Sequence, residues 1–316
     1  MGEFDLIARY FTRPVRRAAL GVGDDCALLR VAPGMQLAVS TDMLVEGRHF
    51  LSTVPPRLLG HKALAVNLSD LAACGAEPLA FTLALALPRA DEDFIAPFAQ
   101  GLWALADAHG IELVGGDTTA GPLNLCITVF GQVPTGQALL RSGAKVGDEL
   151  WVSGQLGDAR LALEVFRGQL ALDGAAFTSV RCAMEQPTPR VALGMALRGI
   201  ASSAIDLSDG LAGDLAHVLQ RSGVAAVVEV ATVPRSIVLA AQSQELQRMC
   251  ALEGGDDYEL LFTAAATQHA AVRAAAARCA VPVTRIGRIV AGSGMHFVDS
   301  DGLALTWRPR GFDHFA

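Results

Sequence analysis

Six aspartates, Asp25, Asp42, Asp70, Asp117, Asp206 and Asp209, each stand where an apolar run ends or on an otherwise apolar face, and that repetition limits what the chain can fold into. If several converge, pairs about 5 Å apart repel by roughly 3 kcal/mol at an effective dielectric near 20, so cations are needed to hold the site together. Taken singly, each has an ordinary reading. Thr-Asp ends a strand, Gly-Asp makes a turn, and Asp209 is an acid at a helix start, where the dipole favours it by about 0.3 to 1 kcal/mol.

The clearest case is Ser40-Thr41-Asp42, followed by Met43 to Phe50 (MLVEGRHF). Leu37, Val39 and Thr41 alternate onto one strand face and Ala38, Ser40 and Asp42 onto the other, so hydroxyls and a carboxylate arrive together at the strand end. Hard oxygen ligands of this kind suit Mg²⁺. Leu58 to Cys74 has helical spacing, with Leu64, Leu68, Leu71 and Ala72 on its apolar face and Asn67 and Asp70 side by side. An unpaired carboxylate is costly to bury there, so Asp70 either pairs locally or binds a cation.

The other acids recur in glycine turns. Gly21 to Ala27 places Asp24 and Asp25 before an expected strand, Ala27 to Val31. Ile111 to Val114 reads as a short strand broken by Gly115-Gly116, whose backbone could approach an anion while Asp117 offers an oxygen to a metal. Ala204 to Leu211 puts Asp206, Ser208 and Asp209 at a strand-to-helix turn, and Gly254-Gly255-Asp256-Asp257 leads into a strand from Leu260 to Ala264. Helices are expected over Phe4 to Phe11, Asp91 to His109 and Ser236 to Met249.

A length of 316 residues predicts two domains, with the junction in Pro134 to Gly147 and bounds of 1–140 and 141–316. Arg141, in that junction, is an ordinary solvated arginine unless a phosphate lies beside it, where it becomes a charge clamp. The net charge of −7 gives no electrostatic footprint for nucleic acid. No charge-free stretch reaches the roughly 18 to 20 residues of a membrane span, and Glu3, Asp5 and Arg9 speak against a secretory signal. Six scattered cysteines without a CxxC pair fit neither a zinc site nor a disulfide framework and predict a reducing cytoplasm.

No GxxxxGK[ST] loop and no protein-kinase motif set is present. The strings GVGDDCALL, STDMLVEGRHF, KALAVNLSDLAACGAEP, GGDTT, RSGAKVGD, AIDLSDGL and GGDDYEL, in this order, resemble the thiamine-monophosphate kinases of the aminoimidazole ribonucleotide synthetase-like superfamily. The resemblance runs nearly end to end. It implies an α+β, two-domain fold: an N-terminal Mg/ATP-binding domain that forms a shared β-barrel in a homodimer, and a C-terminal α/β domain that completes the nucleotide and substrate sites. It implies ATP-dependent phosphorylation of thiamine monophosphate to thiamine diphosphate. By position, Asp25, Ser40, Thr41, Asp42, Asp70, Asp117, Asp206 and Asp209 would bind several Mg²⁺ ions. Gly116, Asp117, Arg141 and Ser208 would contact ATP, and His49, Asp256 and Phe312 the thiamine monophosphate. Many relatives carry Glu in place of Asp256 and Tyr or Trp in place of Phe312. Without the resemblance, His49 reads as a surface histidine and Phe312 as a packing residue near the C-terminus.

The acceptor is a phosphate monoester whose second pKa is about 6, already ionised at neutral pH, so no catalytic general base is expected. The rival readings are another ATP-dependent synthetase of the superfamily, a nucleotide- or thiamine-phosphate-binding protein without turnover, and a Mg²⁺-dependent phosphatase. A selenide enzyme would want a reactive Cys before Cys26, and a carbamoyl-dehydrating factor a C-terminal Cys where this chain has His314-Phe315-Ala316.

Overall fold

The alternating stretch around Ser40 forms an 11-residue strand, β1 (Met35–Val45), whose exposed and half-buried positions alternate as the sequence does. The computed structural model describes residues 2–306. The chain divides into two compact units, one of residues up to Leu71 together with Ala76–Gly136, the other of Ala72–Gly75 and the chain from Gln137 onward.

In the first unit, α1 (Glu3–Leu6) runs directly into a π-turn over Ile7–Phe11, so the expected helix from Phe4 to Phe11 exists but widens after one turn. Then follow β1, α2 (Pro56–Ala73), β2 (Glu77–Leu87), α3 (Glu92–His109), β3 (Glu112–Ala120) and β4 (Asn124–Pro134). The strands form one sheet in the order β1-β4-β2-β3, with β1 and β3 at its edges. Asp91 caps α3 by accepting from the Asp93 N–H at 3.1 Å, and Gly110 ends the helix at a φ of 59°. The two helices meet backbone to backbone: a Cβ on Gly60 would lie 2.0 Å from the Phe98 carbonyl oxygen, and one on Gly101 1.8 Å from that of Arg57. Leu64, Leu68, Phe81, Leu83, Phe98 and Ile127 fill the core.

Two local expectations are corrected here. Ala27 to Val31 makes no strand, only an isolated bridge between Leu20 and Leu28, because Ala27 and Leu29 pack with Val15 and Ala18 onto Leu79, Ala80 and Val114 rather than along another strand. Gly115-Gly116 does not break the third strand. β3 continues through both glycines to Ala120, pairing parallel with β2, and the irregularity is taken up by a register shift at Phe81/Thr82.

The second unit contains β5 (Asp148–Ser153), α4 (Asp158–Phe166), α5 (Gly174–Glu185), α6 (Val191–Ala196), β6 (Ser203–Asp206), α7 (Leu211–Ser222), β7 (Ala225–Glu229), β8 (Leu260–Ala265), β9 (Val283–Val290) and β10 (Gly294–Val298). The six-stranded sheet has the order β10-β7-β9-β5-β8-β6 and is antiparallel except for β10 with β7. Leu150, Val152, Leu161, Leu211, Leu215 and Val228 belong to its core. The single helix expected from Ser236 to Met249 is instead two short helices, Ile237–Ala240 and Gln244–Arg248, followed by a π-turn. Ser243 restarts it, its Oγ accepting from the Leu246 N–H at 3.3 Å.

Candidate active site

The first unit gathers Ser40, Asp42, Asn67 and Asp70 on the face of β1 that meets α2. The Ser40 hydroxyl donates to the Asp70 carboxylate, and the Asp42 backbone N–H donates to Asn67 Oδ1 at 3.1 Å. Asn67 is buried and its amide is oriented by donating to the Ala63 carbonyl at 3.0 Å. The partner of Asp70 thus comes from β1, 30 residues away in sequence, and its acceptor capacity exceeds one hydroxyl. Thr41 points the other way, its Oγ1 2.8 Å from that of Thr128. Burial, then the charge of Asp42, pushes the Cys126 thiol above its ordinary pKa.

Asp42, Ile127, Leu83 and Gly116 lie in one row across the sheet. Three strand spacings separate the ends of that row, about 14 Å along the sheet. One ion does not bridge Asp42 and Asp117 across a flat sheet of that width. Among the described residues no three His, Cys, Asp or Glu side chains form a ready-made metal cage.

At the β3 edge, Asp25, Gly115, Gly116, Asp117 and Thr118 line a pocket of about 660 Å³. Gly116 has a φ of 150°, and a Cβ there would lie 1.9 Å from the Leu83 carbonyl oxygen, so only glycine fits. Asp24 is engaged within its own turn, accepting from the Asp25 N–H at 2.9 Å. His49 follows β1, and its Nδ1 accepts from the Val45 N–H at 3.0 Å, which places the ring proton of the neutral form on Nε2.

The second unit carries its own candidate residues on the β6–β8 ladder. Beyond the end of β6, the Leu207 N–H donates to the Glu259 carbonyl, the Tyr258 N–H to that of Leu207 and the Asp256 N–H to that of Ser208, each at 2.8 Å. Ser208 and Asp256 are thus brought together. Asp256 and Tyr258 take φ values of 75° and 51°, a strain of about 1 to 3 kcal/mol each. Two acids, Asp257 and the buried Glu259, hold this strained segment. Asp257 accepts the Gly157 N–H at the start of α4 with both oxygens, at 2.9 and 3.1 Å. Burial keeps its carboxyl well above the usual carboxylate range. Glu259 accepts from Ser153 Oγ and forms a forked pair with Arg190, whose Nε donates at 2.7 Å and whose Nη2 also donates.

Asp206 is buried at the end of β6, and the Asp209 N–H donates to Asp214 Oδ2 at 3.0 Å. Burial, then the charge of Asp206, pushes Asp214 up to about 8, and Arg141 pulls it back. Asp206, Asp209, Asp214 and Arg141 therefore share one electrostatic environment. Asp214 was not singled out from the sequence; its only signal is an acid in the first turn of the helix that follows Ser208-Asp209-Gly210. Phe312 lies outside the described residues. The donors in both units are hard oxygens, a donor type that fits Mg²⁺, which completes its shell with water and phosphate oxygens rather than requiring a protein cage.

The model of the AIR synthase related protein N-terminal domain matches residues 23–133, and that of the C-terminal domain residues 145–300. The thiamine-monophosphate kinase of Salmonella typhimurium is 46% identical over 324 residues, covering 100% of this chain and 98% of the relative. The crystal structure of thiamine-monophosphate kinase from Stenotrophomonas maltophilia K279a is 48% identical with a TM-score of 0.86, covering 96% of each chain. AaThiL complexed with AMPPCP and TMP is 29% identical with a TM-score of 0.79, covering 90% of this chain and 89% of that one.

Proposed function

The chain belongs to the thiamine-monophosphate kinases, within the AIR synthase related proteins, and from that membership we propose how its two units divide the reaction. The enzyme converts thiamine monophosphate to the diphosphate with ATP as donor, by direct in-line transfer without a phosphoenzyme. The observation that carries this reading is the ladder joining Ser208 to Asp256. A residue assigned to ATP and one assigned to thiamine monophosphate share one backbone hydrogen bond, so donor and acceptor sites are set by a rigid element.

In this reading residues 1–140 supply the Mg/ATP domain and residues 141–316 complete the nucleotide and substrate sites. Asp25, Ser40, Thr41, Asp42, Asp70, Asp117, Asp206 and Asp209 hold several Mg²⁺ ions; the width of the sheet between Asp42 and Gly116 supports more than one. The metal, when bound, neutralises the repulsion between the two polyanions. Gly116 offers a backbone without a side chain, and Arg141 and Ser208 offer donors to the nucleotide. His49, Asp256 and Phe312 meet the thiamine monophosphate. The acceptor oxygen arrives ionised, with a second pKa of about 6, so no residue removes a proton from it.

The enzyme works as a homodimer in the cytoplasm. Support for the dimer is the outer face of the edge strand β1, where Leu37, Val39 and Met43 are about half exposed. Six thiols outside any disulfide support the compartment, and no helix among the described residues is long and apolar enough to cross a membrane.

The test is a coupled assay of the purified protein with MgATP and thiamine monophosphate, following thiamine diphosphate and ADP, with thiamine as control acceptor. Equal amounts of both products from the monophosphate alone support the reading. ATP binding without formation of thiamine diphosphate overturns it, and a phosphoprotein turning over at the catalytic rate overturns the direct transfer.

A further inference from the structure

Asp25 and Asp117 line one pocket but reach it on different stretches of chain. Asp25 lies on an exposed loop between Leu20 and Leu28, and Asp117 lies on β3. A third acid, Glu112 at the start of β3, joins the two stretches.

Three consecutive backbone N–H groups, from the segment that leads into the loop, converge on the Glu112 carboxylate. That of Arg16 donates to Oε1 at 2.6 Å, that of Ala18 to Oε2 at 3.0 Å, and that of Arg17 is shared between both oxygens at 3.0 Å. Successive N–H groups of this kind form a concavity for an anion, and here the chain fills it with its own carboxylate. Burial raises the Glu112 pKa, but the N–H donors and the Arg17 charge outweigh it and hold the carboxyl below its ordinary range. The Arg17 side chain adds a second tie, donating from Nη1 to the Pro78 carbonyl at 2.8 Å and pairing with Glu77.

The clamp passes directly to the loop. The Ala19 N–H donates to the Leu28 carbonyl at 2.8 Å and the Leu28 N–H to that of Leu20 at 3.0 Å, which closes the loop that holds Gly23, Asp24 and Asp25. Val15, Ala18, Ala27 and Leu29 pack on Leu79, Ala80 and Val114. Apolar contact of that kind is non-directional and does not by itself fix where along the sheet the loop stands. A charged acceptor gripping three amides does.

We propose that Glu112 is a positioning residue, whose single carboxylate ties the loop bearing Asp25 to the strand bearing Asp117 and so sets the two acids relative to one another for the Mg²⁺-nucleotide. This rests on the Mg/ATP reading of these residues. Glu112 itself does not line the pocket and has no part in the transfer.

The experiment is calorimetric titration of the full-length Glu112→Ala and Glu112→Gln variants with MgADP and, separately, thiamine monophosphate, alongside thermal melts. Asp91→Ala, which loses a helix cap away from these residues, is the control for destabilisation. Glu112→Ala should weaken MgADP about 10-fold or more and leave thiamine monophosphate binding unchanged. Glu112→Gln keeps one acceptor oxygen and should fall between Glu112→Ala and the parent. A lower melting temperature with unchanged MgADP affinity, as expected of Asp91→Ala, or equal losses for both ligands, overturns the assignment. Should Glu112→Ala fail to fold, Glu112→Gln decides by the same readings. Failure of the kinase reading is distinguishable: a wild-type protein that makes no thiamine diphosphate sinks that reading, while the MgADP titrations and melts still decide the role of Glu112.

Discussion

The acids of the first unit and those of the second are the same residue type in opposite circumstances. Asp25 and Asp117 are exposed and Asp42 and Asp70 half-buried, so solvent and arriving cations can neutralise them. Asp206, Asp214 and Glu259 are buried, and Asp257 is pushed well above the ordinary carboxylate pKa by burial. A solvated carboxylate costs the fold little and is available to ligands; a buried one must be held by donors and in return fixes backbone. An aspartate in a glycine-rich turn is therefore left open to ligands at Asp25 and, at Asp257, holds the backbone of Gly157.

The sharpest break of that comparison is Arg190→Ala. It strands Glu259 in the core of the second unit and should cost about 3 to 5 kcal/mol of stability by denaturant unfolding, well above any effect of an acid in the first unit. Next is Asp70→Asn, which should lower kcat about a hundredfold or more with an unchanged melting temperature. A loss of stability matching the loss of rate would move Asp70 into the structural class.

Asp257→Ala should cost about 1 to 3 kcal/mol by leaving the Gly157 N–H without its acceptor, and should raise KM for thiamine monophosphate more than for ATP. Asp257 also sets a pH dependence. Its folded pKa is raised above the ordinary 3.8, so the folded state binds its proton more tightly than the unfolded state. Its contribution is fully present below that value and is lost as pH rises toward the folded pKa. Metal-free protein should thus lose stability from about pH 4 upward, and Asp257→Asn should flatten the curve relative to the parent, in which Asp214 slopes the same way. Smallest is Asp91→Ala, away from both sites, which should cost about 1 kcal/mol through its lost cap and leave both Michaelis constants unchanged.

Features with a local cause were legible in the chain. Alternation over Leu37 to Asp42 predicts β1 and the faces of its residues, and the spacing of Leu64, Leu68 and Leu71 predicts α2 with Asn67 and Asp70 beside one another. Features set by distant partners were not. Gly115-Gly116 reads as a break because its partner, Thr82-Leu83, is more than 30 residues away, and the ladder decides the outcome. Arg190 and Glu259 are 69 residues apart, and neither marks the other. Asp257 looked interchangeable with Asp256, since nothing local says which of two adjacent carboxylates turns inward to Gly157.

The ladder between Ser208 and Asp256 stores information of a kind that an inventory of residues does not contain. Side chains along an extended backbone alternate faces, so one residue inserted between Asp206 and Ser208 would preserve every acid, arginine and glycine named above while reversing which way Ser208 faces. Part of the enzyme's chemistry is therefore written as a count, and this segment should tolerate exchange of letters better than a change in their number.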